Sequence, residues 1–127
     1  MIFVRHRILI AAVVATGLAG TLGCQKNVDP QQELLAQLQH PEPGRRLIAG
    51  TSIREMRPVP EPFIRPLMEA LNDQDASLRC LAAESLGEVG PIGHNYVNEL
   101  VKIANNHFDH QVREKLQQSI QKISDSK

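Results

Sequence analysis

A chain of 127 residues carrying 14 basic and 14 acidic side chains is electrically balanced, and that balance argues against nucleic acid, which favours a basic patch or stripe. The length suits one small domain. Aromatic residues make up only 3% of the chain and Trp is absent, so packing must rest on Leu, Ile, Val and Ala, which fits helix against helix better than a β-sandwich.

The first element is a leader. Arg5 and Arg7 supply a positive start, residues 8–14 and 15–22 form a charge-free run, and Thr21, Leu22 and Gly23 precede Cys24. The run falls short of the roughly 20 apolar residues a spanning helix needs, and Gly17, Gly20 and Gly23 weaken it as a helix. Residues 1–23 resemble a bacterial lipoprotein signal peptide, with Thr21 where that family most often has Leu. The resemblance implies a diacylglyceryl group on the Cys24 thiol, cleavage before Cys24 and acylation of the new amino terminus. Two or more acyl chains anchor stably, each burying about 0.8 kcal/mol per CH2. The expected location is the cell membrane or outer membrane, facing the periplasm or exterior. Gln25, where some enteric lipoproteins carry an inner-membrane retention aspartate, favours the outer membrane. Residues 24–30 then form a tether of at most roughly 20 Å. With Cys24 assigned to lipid, Cys80 has no disulfide partner.

From residue 31 the chain repeats itself. Leu38, Arg46, Ile53 and Pro58 line up at an offset of 33 with Leu71, Arg79, Leu86 and Pro91. At a further offset of 34, Asp75, Leu78, Arg79, Ser85, Leu86 and Val89 fall on Asp109, Val112, Arg113, Ser119, Ile120 and Ile123. Three units follow, at about 31–58, 61–91 and 92–123, before a short tail at 124–127.

Each unit reads as two antiparallel helices. Leu34, Leu35 and Leu38 form the first stripe, and Ile48, Ala49, Ile53 and Met56 the second. In the middle unit Phe63, Ile64, Leu67, Met68 and Leu71 precede Leu78, Leu81, Ala82, Ser85, Leu86 and Val89. In the last, Tyr96, Val97, Leu100, Val101 and Ala104 precede Val112, Leu116, Ile120 and Ile123. Pro66 forces the helix after Pro62 to kink or start late. Gly90-Pro91 stops the helix before it, residues 57–62 form a stiff link, and His94 and Tyr96 begin the next helix.

Asp73-Gln74-Asp75-Ala76-Ser77-Leu78-Arg79, followed by Ala82, Ala83 and Leu86-Gly87-Glu88-Val89-Gly90, resembles the core of a HEAT repeat. The first unit departs most, with Arg45 at an aliphatic position and Thr51 and Arg54 in place of Glu84 and Gly87. The resemblance implies an all-α fold, a short α-solenoid of three two-helix repeats. It also implies that turn aspartates and the following arginines bond between units: Asp75, Arg79, Asp109 and Arg113, with Glu42 and Arg46 as a degraded counterpart. Three units are about the minimum that closes a continuous core. Lys115 in the Leu81 column, with Gln117, Gln118, Gln121 and Lys122, reads as a polar cap on the last unit.

Residues with chemical potential have plainer readings. His107, Asp109 and His110 are metal-ligand types, but Asp109 aligns with a turn aspartate and the segment reads as a solvated loop, so no metal is expected. Cys80 lies beside Arg79 with no base close in sequence and reads as an inert thiol. Glu84 and Glu88 are a like-charged pair without the aromatic platform a glycosidase needs. The chain thus reads as non-enzymatic and without a cofactor.

A surface remains. Leu47, Cys80 and Glu114, then Thr51, Glu84 and Gln118, then Arg54, Gly87 and Gln121 align along the second helices, and HEAT-like arrays use that layer to bind proteins. Thr51, Arg54, Glu84, Gln118 and Gln121 are the expected contact residues for an unidentified protein partner. Two alternatives stand beside this scaffold reading. One is a resemblance to the HEAT-like subunits of phycobilin lyases, which handle a tetrapyrrole; the other is a purely structural envelope lipoprotein.

Overall fold

A computed structural model describes residues 27–127. Residues 1–23 and Cys24 lie outside the described residues. Six α-helices and two 3-10 turns follow in order: α1 (Pro30–Leu38), α2 (Pro43–Glu55), a 3-10 turn (Glu61–Phe63), α3 (Ile64–Ala70), α4 (Ala76–Leu86), a second 3-10 stretch (Gly90–Tyr96), α5 (Val97–Asn106) and α6 (His110–Ser124). The described residues contain no strand, and none of their helices is long and apolar enough to cross a membrane.

The helices pair as α1/α2, α3/α4 and α5/α6, and the pairs stack through α2 on α4 and α4 on α6. The result is a short all-α solenoid of three two-helix units. Its core runs through all three: Leu38, Ile53, Phe63, Leu67, Leu71, Leu78, Leu86, Leu100, Leu116 and Ile123 are buried. A lone pair could not cover its apolar stripe, and the middle pair is covered from both sides.

Small residues bring the second helices close. Gly50 on α2 admits Leu78 and Leu81, whose methyl carbons lie 3.0 Å from where its Cβ would stand. Gly87, just past α4, admits Ser119 of α6, whose Oγ donates to the Ala83 carbonyl at 2.6 Å. The first helices make fewer mutual contacts. Long side chains span that layer instead: Arg65 of α3 reaches Glu99 of α5 at 2.8 Å and lies 5.4 Å from the Tyr96 ring centre. Tight second helices and splayed first helices curve the array, so α2, α4 and α6 form the concave side.

Helix ends follow the punctuation with three corrections. Pro66 delays α3 to Ile64, after one 3-10 turn. The helix expected to run to Gly90 ends at Leu86, because Gly87 and Glu88 bond into a closing turn; Val89 is buried beyond it, and Gly90 takes the positive φ of 72° that L side chains avoid. The helix expected from His94 begins at Val97, since Gly90–Tyr96 winds as 3-10. The expected tail at 124 is still helical at Ser124.

Candidate interaction surface

The three inter-helix turns are built alike. Each opens with a side chain that accepts the backbone N–H two residues on: His40 from Glu42 at 3.1 Å, Asp73 from Asp75 at 2.8 Å, His107 from Asp109 at 3.0 Å. Six residues after that opener stands an arginine whose Nη1 donates to the turn's own carbonyls. Arg46 holds His40 and Pro41, Arg79 holds Asp73 and Gln74, and Arg113 holds His107 and Phe108. The remaining donors of Arg46 and Arg79 point to the next unit.

There the two joints differ. Arg79 places Nε and Nη2 on one Asp109 oxygen at 3.0 and 2.8 Å, while the other Asp109 oxygen caps α6 through Gln111 and Val112. Arg46 forks onto both oxygens of Asp73 at 2.9 Å. Asp73 therefore fills the inter-unit role assigned above to Asp75, which instead caps α4 through the Ser77 and Leu78 amides. A carboxylate at a helix N-cap has its best acceptor geometry aimed at those amides, and the opener two residues earlier is left facing Arg46. Asp109 does both tasks because its opener is a neutral imidazole: His107 is buried, and with Nδ1 accepting from Asp109, Nε2 must donate to the Leu71 carbonyl at 2.6 Å. His107 thus joins units two and three and does not lie in a solvated loop.

These pairs set the ionisation of the carboxylates. The Arg79 hydrogen bonds hold Asp109 below the usual range. Burial opposes the charge on Asp73, but the Arg46 fork, the Asp75 amide and the charges of Arg46 and Arg79 outweigh it and keep the carboxyl low.

On the concave side a second set of charges crosses all three units. Glu84 of α4 accepts from Arg54 of α2 at 2.9 Å and from Lys115 of α6. The Lys115 bond, more than the Arg54 bond, pulls Glu84 down against partial burial, and the same bond raises Lys115. One turn on, Glu88 pairs with Lys122 and lies 4.0 Å from Arg57. Together with Gln118 and Ser119 these side chains line a cleft of about 230 Å³ carrying four cations and two carboxylates. Glu84 and Glu88 are thus each bridged by cations from the neighbouring units.

Of the expected contact stripe, Thr51, Arg54 and Glu84 are half-buried, with Arg54 paired to Glu84, while Gln118 and Gln121 are exposed, Gln118 lining the cleft. Thr51 returns its hydroxyl to the Leu47 carbonyl at 2.9 Å, and Gln121 bonds Asp125 at 3.0 Å. Gly87 does not belong to the exposed column, being buried under Ser119. Lys115 turns back to Glu84 and does not cap the outer face. Cys80 is half-buried with its thiol 3.8 Å from Gln111, and burial first, then the Asp109 charge, raises its pKa, which disfavours the thiolate. Among the described residues no group of three His, Cys, Asp or Glu side chains is placed to hold a metal.

The cross-unit roles of Asp73 and Glu84 have a sequence signal that a column-by-column alignment overlooks. Each carboxylate has a cation 27 to 31 residues away, one helix pair along.

A family model, HEAT repeat, matches residues 63–93, which contain α3, α4 and the turn between them. No curated protein matches the chain.

Proposed function

We propose that this chain is a lipid-anchored, non-enzymatic interaction module of a bacterial cell envelope that presents the concave layer of its solenoid to a protein partner. The observation that carries this reading is the ladder Arg54–Glu84–Lys115, which crosses all three units and ends in the cleft beside Glu88 and Lys122. Such an array holds polar side chains at fixed spacing without closing a pocket around a small substrate. The HEAT match over residues 63–93 supports a protein-binding role, and solenoids offer their curved inner layer to partners. With three units the surface is small, which favours a weak or transient contact or service as one part of a larger assembly.

The anchor rests on the sequence around Cys24. Lipidation there would hold α1, which starts at Pro30, close to the membrane. Crosslinking in intact cells followed by mass spectrometry tests both parts together. The expected result is a recurrent protein partner, crosslinked through α2, α4 or α6, and an acylated Cys24. A Glu84→Lys variant should lose that partner while remaining with the membrane. A Cys24→Ala chain that still fractionates with salt-washed membranes would sink the anchor, and tight capture of a bilin by the purified protein would sink the scaffold role.

A further inference from the structure

The two end faces of the array differ, and its internal repetition shows what each is shaped to meet. At the first end, Leu34, Gln37, Arg45, Ile48 and Ala49 line an open apolar groove of about 270 Å³, with Ile48 69% exposed. Their counterparts one unit on, at the offset of 33, are Leu67, Ala70, Leu78, Leu81 and Ala82, all buried, with Leu78 and Leu81 seated on Gly50 of the preceding unit. Among the described residues the groove is therefore a unit-to-unit contact surface with nothing covering it.

At the other end, Arg113 repeats half of the latch. Its Nη1 grips the His107 and Phe108 carbonyls as Arg46 and Arg79 grip theirs, and its Nη2 lies 3.2 Å from His110 Nδ1. Among the described residues no carboxylate stands in front of it as Asp73 stands before Arg46 and Asp109 before Arg79.

We propose that a second copy of this chain supplies the missing contact at both ends, the first unit of one copy stacking on the third unit of the next. Glu42 aligns with Asp75 and Asp109, is exposed, makes no cap bond, and among the described residues is paired only with its neighbour Arg45 at 3.3 Å. In the stack Glu42 meets Arg113, as Asp109 meets Arg79. Arg45, in the Leu78 column, faces the end that carries Glu114, whose carboxylate lies 3.0 Å from Nε2 of the exposed His110. Gln117, in the column of Gly50 and Ala83, offers its aliphatic stem to Ile48. Both ends thus carry opposite charges in matching order, and the contact continues the interface already present between units. It is heterologous, so it closes into a ring or extends as a stack. The glutamines of the outer face keep it weak and dependent on concentration.

This proposal is independent of the concave-layer partner. Sedimentation of the full chain in nonionic detergent over a concentration series tests it. The mass should rise with concentration. Ile48→Lys, Glu42→Arg and Arg113→Glu should each weaken association about tenfold, and the double variant E42R/R113E should restore it. Glu42→Arg touches none of Arg113's own turn bonds, so unchanged association in that variant overturns the proposal. A monomer at every concentration does so too, as does a dimer lost in Ile48→Lys but indifferent to both charge reversals, which would mark a head-to-head pair through the apolar grooves.

Discussion

Arg79 and Arg113 are the same side chain on the same turn scaffold, and only one has a carboxylate ahead of it. Both hold two carbonyls of their own turn, so truncating either frees those carbonyls. Truncating Arg79 also leaves Asp109 facing a partly buried joint without its cation. In dilute protein, Arg79→Ala should therefore lower the urea midpoint clearly more than Arg113→Ala, and equal shifts would show that the inter-unit bond adds little. The same carboxylates fix the response to acid. Asp73, Glu84 and Asp109 ionise more readily in the folded chain than at their usual values of 3.8, 4.5 and 3.8. As pH falls through that range the unfolded chain takes up protons first, so their stabilisation is complete above about pH 4.5 and is lost progressively as pH drops through the lower folded values. Thermal melting between pH 6 and pH 2.5 should show a falling midpoint, with a shallower fall in Glu84→Gln. An unchanged slope in that variant would remove Glu84 from the explanation.

Between elements, the spacing of α4 and α6 is set where a side chain is missing. A Cβ on Gly87 would stand 2.8 Å from Ser119 Oγ and 3.1 Å from its Cα, so backbone as well as side chain must move. On Gly50 the nearest atoms are the flexible tips of Leu78 and Leu81 at 3.0 Å. Gly87→Ala should cost about 1–3 kcal/mol as overpacking, and Gly50→Ala less, measured by chemical unfolding; the reverse order would place the tight joint between the first two units. The pairing of helices was legible from the apolar stripes, because a spacing of three and four residues leaves one face for Leu78, Leu81, Ala82, Ser85 and Leu86. The late start of α3 followed from Pro66, a covalent constraint. What the stripes hid was the detail of the turns. Asp73 and Asp75 are both carboxylates two residues apart, and alignment chose the one in the Asp109 column; only the competition between capping amides and the Arg46 fork separates them. His107 was hidden for a related reason, since a loop histidine looks solvated until the Leu71 carbonyl is seen to lie over it. Lys115 sits in an apolar column, and its reach back to Glu84 depends on the spacing between helices.

Across the whole molecule, stability should grade from the first unit to the second. In a stacked array each unit is held by its own packing and by its neighbours. The middle unit has neighbours on both sides, and α4 buries Leu78, Leu81, Ala82, Ala83, Ser85 and Leu86. The first unit has a neighbour on one side, α1 buries only Leu38, and Ile48 faces outward. Elements with few buried contacts open locally, below the energy of global unfolding. Native-state hydrogen exchange should accordingly show the α1 amides exchanging through a local opening of low free energy, while α4 amides exchange only when the whole domain unfolds. A pair of truncations sharpens the expectation. Leu38→Ala and Leu86→Ala each remove a buried side chain whose loss costs about 2–5 kcal/mol in a close-packed core. Leu86→Ala should lower protection throughout the domain. Leu38→Ala should lower it chiefly in α1 and α2, because the units behind retain Phe63, Leu67 and Leu78 as a core of their own. If Leu38→Ala instead lowers α6 as much as α1, the three units fold as one indivisible body and the one-dimensional account of their stability fails.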